Sequence, residues 1–515
     1  MTGMADLGQW AAATPDALAF TSPAGSRTFA ELDGNANRLA RALRSRGLEP
    51  GDAVALLAGN GPAFVETVYA CRAGGYRLTP INWHLAPDEA GYIIGDCEAK
   101  ALVTTTELAA LASDGLAGAA ACEVCLVAGP DAAGSDSYRA ALEAEPGDPL
   151  DDVDAPGTTM LYTSGTTGRP KGVYRPPVPA EPARNLYGYI ETGGDVHLCT
   201  GPLYHAAPLA FSLTIPLTFG ATVVTMDHWD AAEALRLIGE HHVTHTHMVP
   251  TMFHRLLALP EEDRAAADLS SLRHVLHGAA PCPVPVKQAI IEWFGPVVWE
   301  YYAATEGVGS MVDSPTWLQR PGTVGRPLGR GQVIIGDETG APLAAGEVGL
   351  VYIKAPPTGQ FRYFKDDAKT DSTYRGGYFA LGDIGYLDDD GYLFVTDRNA
   401  NLIISGGVNV YPAEVDAALL EHPAVGDAAV IGVPDPEWGE SVLAVVELRD
   451  GIEASDALAA ELIEHCRARL AHFKCPRFVE FTDQLPREDN GKIYKRRLRD
   501  AYRDRAGPPA KPSLL

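Results

Sequence analysis

The segment at 162–173, Tyr162-Thr163-Ser164-Gly165-Thr166-Thr167-Gly168-Arg169-Pro170-Lys171-Gly172-Val173, decides how the rest of the chain is read. A strand-like run at 158–162 leads into a loop dense in Gly, Ser and Thr that ends on a lysine. Backbone N–H groups and hydroxyls in such a loop converge on one point and hold phosphate. Gly165 and Gly168 let the main chain approach an anion without a Cβ in the way, Thr163, Ser164, Thr166 and Thr167 supply neutral donors, and Lys171 supplies a point charge. The P-loop pattern needs Gly-Lys-Ser/Thr opening a helix. Here Gly172 follows Lys171, and Pro176-Pro177 keeps the chain extended, so the segment reads as a mobile loop joining two strands.

At 515 residues the chain exceeds one ordinary core, and two or more domains are expected. An apolar share of 46% with mixed charge fits a globular protein, and a net charge of −26 argues against general nucleic-acid binding, because a polyanion is repelled. Residues 1–16 carry no basic region followed by an apolar core, and no apolar run reaches bilayer length, so a cytoplasmic enzyme is expected. The eight cysteines are scattered in the manner of reduced thiols. Cys122 and Cys125 form one C-x-x-C, but no second pair stands at zinc spacing and Val124, Leu126 and Val127 make it a buried strand.

Taken in order, Thr28 and Glu31 form a capping box, followed by apolar residues at helical spacing as far as Gly47. Strand, helix and strand follow at 53–58, 62–73 and 77–80, and the alternation resumes at 221–226, 230–240, 243–249 and 250–259. Two parallel sheets covered by helices are predicted. Between 325 and 396 short strands with Gly, Asp and Pro turns suggest a small β-barrel-like subdomain. A polar join at 397–401 leads to a last segment with its own strands and helix. The expected fold is therefore α/β, with a large N-terminal domain at 1–397 and a small, mobile α+β domain at 398–515.

The string from Tyr162 to Val173 resembles the AMP-binding signature of the adenylate-forming superfamily, of the acyl-CoA synthetase or fatty-acid–CoA ligase type, and later motifs extend the resemblance over nearly the whole chain. The resemblance implies that Gly278-Ala279-Ala280-Pro281 and the stretch Glu300-Tyr301-Tyr302 form the two walls of an adenine pocket. It implies that Thr305 meets the α-phosphate, that Glu306 binds magnesium, and that Asp383, in Gly382-Asp383-Ile384-Gly385, accepts the ribose hydroxyls with Arg398 nearby. Ala303 stands where the family usually has Gly, and Ala400 where its hinge has Lys or Asp. Gly406 and Gly407 resemble the loop lining the coenzyme A tunnel, Lys474 could pair with the anionic end of that thiol, and Lys492 matches the mobile lysine that bridges carboxylate and α-phosphate.

The activity so implied is ATP-dependent conversion of a carboxylic acid to an acyl adenylate, then transfer to coenzyme A, with Mg²⁺ required and a homodimer allowed. His205 matches a positioning group beside the reacting carboxylate; that carboxylate is already ionised and needs no base. Tyr204, Phe211, His247, Val249, Leu276 and Ala304 are further acyl-pocket candidates. The set does not separate a fatty from an aryl or cinnamoyl-type acid. In the run from His241 to His247, His245 and His247 share one strand face, and packed or pocket-lining imidazoles are expected over a metal site. Two alternatives stay open: transfer to an amine, a carrier-protein thiol or nitrite-derived chemistry, and a catalytically silent nucleotide- or acyl-binding homologue.

Overall fold

The computed structural model describes residues 7–117, 119, 121–130, 137–150, 153–163, 170–177, 185, 187–190, 193–329, 331–398, 401–405, 408–435, 438–487 and 493–503. Ser164, Gly165, Thr166, Thr167, Gly168, Ala400, Gly406, Gly407 and Lys492 lie outside them, as does the side chain of Arg398.

The Thr28–Glu31 capping box forms reciprocally, with Glu31 N donating to Thr28 Oγ1 at 3.2 Å and Thr28 N to Glu31 Oε2 at 2.9 Å. It starts the helix Phe29–Ser45, whose Phe29, Leu32, Leu39 and Leu43 are fully buried, each contributing about 1.5–3 kcal/mol of burial. This helix packs on Pro62–Gly74 beside a five-stranded parallel sheet ordered Val124–Ala128, Ala99–Thr105, Ala53–Leu57, Arg77–Pro80, Thr158–Thr159.

The strand expected at 158–162 divides at the buried Met160. Thr158–Thr159 completes the parallel sheet, whereas Leu161–Thr163 pairs antiparallel with Lys171–Tyr174. The two ends of the segment at 162–173 are thus paired antiparallel, leaving one sheet for another. Its strands join Arg362–Tyr363, and their core is shared with the sheet of Val333–Gly336, Gly349–Lys354 and Tyr378–Leu387 through Val173, Val333, Val351, Phe361 and Phe379. This is the β-barrel-like subdomain.

The second large sheet has nine strands, parallel at its centre: Val196–Cys199 lies between Thr222–Thr225 and His245–Met248, followed by His274–His277 and Val298–Ala304. Ala231–Glu240, Pro250–Leu257 and Val284–Phe294 cover one face over Leu198, Val224, Met248, Val275 and Val298. Thr305 and Glu306 lie where the last of these strands ends. The strand continues to Ala304, and the two residues form the turn into an antiparallel return strand, Gly307–Asp313.

The C-terminal part is α+β, with the paired strands Val425–Asp435 and Gly439–Leu448, the parallel strand Phe478–Thr482, and a core of Val415, Val430, Val442 and Leu462. Among the described residues no helix is long and apolar enough to cross a membrane.

Candidate active site

Lys171 opens the strand Lys171–Tyr174 and Arg175 directly follows it, two alternations on, and the two cations make separate connections to the far wall. Lys171 Nζ is ion-paired with Asp366, whose carboxyl it holds below the usual carboxylate range. Asp366 caps the helix Asp367–Thr373 by accepting from Lys369 N at 2.9 Å. Three residues earlier, Tyr363 donates to Glu306 Oε1 at 2.9 Å. Arg175 donates to the carbonyl oxygens of Thr305 at 3.3 Å and Glu306 at 2.5 Å, fixing the turn that carries both. Burial raises the Tyr363 pKa, keeping its hydroxyl protonated as a donor, and lowers that of Arg175, whose charge Glu306 and Tyr374 help to retain. Glu306 is 7% exposed.

The strand leading into this turn sends successive side chains to different partners. Tyr302 donates to Asp383 Oδ2 at 2.6 Å; Asp383 is buried and follows Gly382, whose φ of +86° favours glycine. Arg398 faces Asp383 across the antiparallel register. Tyr301 Oη lies 3.0 Å from His247 Nε2, with the Phe211 ring 4.8 Å from its own. A Cβ on Gly278 would stand 2.6 Å from the Tyr301 carbonyl oxygen, so only glycine lets the loop at 278–281 close on this strand. Ala279 adopts φ +67°, a left-handed conformation that costs a non-glycine residue of order 1 kcal/mol and is held by its surroundings. One chain of contacts therefore joins Lys171, Thr305, Glu306, Tyr302, Asp383, Tyr301 and Gly278.

Other candidates stand apart from that chain. Glu300 points to the helix-covered face, where its carboxylate meets Lys287 Nζ at 2.5 Å, both side chains buried. Lys474 is ion-paired with Glu414 inside the C-terminal part. His205 precedes the helix Ala206–Leu209, its ring 4.7 Å from that of Tyr204, while Val249 packs into the helix-side core. Cys122, pushed up to about 12 by burial, is a poor thiolate.

Sequence reasoning missed Arg175, Tyr363, Asp366 and Lys287. Alternation from Lys171 was enough to find Arg175; the others are brought in by chain distant in sequence. It also missed Arg487, which pairs with Asp427 and lies 3.3 Å from Thr251 Oγ1 of the large part, burial pushing it down to about 10.

The phosphate-type sequence motif ending at Lys171, a buried carboxylate on a turn and a second carboxylate beside an aromatic strand, with a C-terminal α+β fold, suit a nucleotide-using enzyme. Comparison with known proteins makes this specific. The profile of the AMP-binding enzyme family matches residues 7–362, and that of the AMP-binding enzyme C-terminal domain matches residues 414–492. A feruloyl-CoA synthase of an Amycolatopsis species is 36% identical over 513 residues, covering 96% of this chain and 99% of that protein. The crystal structure of the anthranilate CoA ligase AuaEII with anthranoyl-AMP superposes with a TM-score of 0.86 at 27% identity, covering 96% of both chains. The amide bond synthetase McbA from Marinactinospora thermotolerans gives 0.80 at 30% identity, covering 94% of this chain and 97% of that one. The chain belongs to the AMP-binding, adenylate-forming family and is of the acyl-CoA synthetase type: an AMP-forming acid–thiol ligase that uses ATP and coenzyme A.

Proposed function

We propose that this ligase activates an aromatic carboxylic acid. The observation that carries the reading is the ring wall on the Tyr301 side of the site. Tyr301, His247 and Phe211 lie within 6 Å of one another by ring centroid, and Tyr187 stands edge-on to Phe211 at 5.7 Å. Flat rings prefer such offset and edge-on neighbours, whereas an alkyl chain gains nothing from the geometry.

In this reading Gly278, Ala279, Ala280, Pro281 and Tyr302 hold adenine, Asp383 and Arg398 the ribose, and Lys171 with the Thr163–Gly168 loop the leaving phosphates. Thr305 meets the α-phosphate and His205 positions the acid. An acid oxygen attacks the α-phosphorus in line and the bond to pyrophosphate breaks; Lys492 bridges the two reactants, so that positioning and charge stabilisation lower the barrier. The coenzyme A thiol then attacks the acyl carbon and AMP leaves. Gly406, Gly407 and Lys474 serve this second step, after the part from 398 onward has turned. Tyr363 uses one oxygen of Glu306, and the other suits Mg²⁺, which takes one or two carboxylates beside phosphate oxygens. When bound there, the ion would neutralise phosphate charge. A reducing, cytoplasmic setting fits the eight cysteines, none of which forms a disulfide.

Exchange of labelled pyrophosphate into ATP, measured with aryl, arylpropenoic and fatty acids, tests the reading. Aryl and arylpropenoic acids are expected to lead; exchange strongest with alkanoates refutes it. Adding coenzyme A or a free amine then separates thioester from amide formation, the latter being the activity named for the McbA neighbour.

A further inference from the structure

Three histidines stand side by side on the acid side of the nine-stranded sheet. Leu198, Met248, Val275 and Val298 point into the helix-covered core, so His197, His245, His247, His274 and Trp299 occupy the opposite face. The parallel registers place His197 opposite His245, and His245 opposite His274. All three are at least nine-tenths buried. His247, two residues nearer the Thr305–Glu306 end, is the one that meets Tyr301, so the row lies one tier deeper, roughly 7 Å at strand spacing.

The middle imidazole is fully engaged: His245 Nδ1 lies 2.8 Å from Thr244 Oγ1 and Nε2 lies 3.0 Å from the Tyr187 carbonyl oxygen, with the Tyr189 ring stacked on it at 4.0 Å. The outer two are not. His197 Nδ1 meets Tyr189 Oη at 2.7 Å, but the Nε2 atoms of His197 and of His274 have no hydrogen-bond partner among the described residues. Around His274 the neighbours are rings, Tyr187 edge-on at 5.8 Å and Trp299 stacked at 5.2 Å, and both remain partly exposed. A buried nitrogen without a partner is costly, and here two such atoms flank one row at the foot of a ring-lined wall.

We propose that this row reads the far end of the substrate, selecting an aromatic acid whose ring carries a hydroxyl group; the inference rests on the aromatic-acid reading of the site. A hydroxyl donates and accepts, so it serves either tautomer of the outer imidazoles. A second carboxylate is disfavoured. Burial keeps the imidazoles neutral, lowering His245 to about 4 and His274 to about 3, and Asp195 lies 4.0 Å from His245 Nδ1. Arg273, the cation on this row, is already ion-paired with Asp195. An unsubstituted ring or an alkyl tail would leave the nitrogens unpaired, and sites built around a substrate hydroxyl reject analogues lacking it far more strongly than apolar pockets reject a size mismatch.

The test is pyrophosphate exchange by the full-length enzyme with 4-hydroxycinnamate, cinnamate, 4-carboxycinnamate and an alkanoate of similar length, with 3- and 4-hydroxybenzoate and benzoate as a shorter set. Expected is a kcat/KM at least about tenfold higher for a hydroxylated acid than for its unsubstituted parent, with 4-carboxycinnamate lowest among the aromatic acids. His274→Leu and, independently, His197→Leu should shrink that preference, one of them to within about threefold, by raising the unsubstituted acid as well as lowering the hydroxylated one. Asparagine in place of leucine should retain part of it. Wild-type enzyme indifferent to the hydroxyl, or variants that slow all acids equally while still binding ATP, would overturn the inference and leave the aromatic-acid reading standing. Exchange with alkanoates alone would instead remove that reading.

Discussion

The buried pair behind the strand that carries Tyr301 and Tyr302 offers the sharpest test of the electrostatics. The Lys287 side chain is fully buried and that of Glu300 is 7% exposed; their charged atoms are 2.5 Å apart, and Lys287 Nζ sits 4.7 Å from the Trp317 ring centre. Desolvation raises the Glu300 pKa and lowers that of Lys287, while each partner's charge opposes the shift of the other. Lys287→Met fills similar volume but leaves a carboxylate without its counter-charge. Breaking one side of a buried pair costs about 3–5 kcal/mol, whereas replacing both by apolar groups is often neutral or stabilising. At roughly 2 °C per kcal/mol for a large domain, the main calorimetric transition of Lys287→Met should fall by about 6–10 °C, and Lys287→Met/Glu300→Leu should recover most of it.

The pH dependence fixes the sign. Without Lys287 the Glu300 carboxyl titrates higher still in the folded chain than in the unfolded one. A folded-state pKa above the unfolded value means stability present at low pH and lost as pH rises. The single variant should therefore lie closer to wild type at pH 5 than at pH 8, and the double variant should show no such trend. Glu300 adjoins Tyr301 and Tyr302, so the single variant should also raise KM for ATP. The reasoning fails if Lys287→Met melts within about 2 °C of wild type at pH 8, or if the double variant is no better than the single.

Three further outcomes are expected. Lys492→Ala should abolish pyrophosphate exchange yet spare thioester formation from supplied acyl adenylate, and equal loss of both half-reactions would contradict its role. Asp383→Asn should raise KM for ATP by about 10–100-fold, the worth of a charged hydrogen bond, with kcat changed only a few-fold; an unchanged KM would remove Asp383 from the ribose site. Burial lowers His245 to about 4 and His247 and His274 to about 3, against about 6.5 in an unfolded chain. A depressed pKa is stability held above pH 6.5 and lost as pH falls towards 4, about 1.4 kcal/mol per pH unit for each imidazole. Calorimetry between pH 7 and 5 should show that loss, and His274→Gln should reduce its slope.

How much of this was legible in the sequence depends on how far apart the cooperating residues lie. The capping box at Thr28, the strand at 77–80 and the helix after Asp230 are set by neighbours within a few positions, and they fold as local chemistry dictates. The strand at 158–162 misled because a run of β-forming residues does not say which sheet receives it. Met160 turns inward and hands the chain from one to the other. The site divides the same way. Motif order singled out Lys171, Glu306 and Asp383 as candidates, but what holds them comes from elsewhere: Asp366 is 195 positions from Lys171, Tyr363 is 57 from Glu306, and Tyr302 is 81 from Asp383. The histidine row is the extreme case. Periodicity put His245 and His247 on one face, yet only the parallel register sets His197 and His274 on either side, turning a local run into a wall. The candidate ATP-handling residues are thus written largely in contiguous motifs, while the row proposed to choose the acid is written across strands that meet only in the folded sheet.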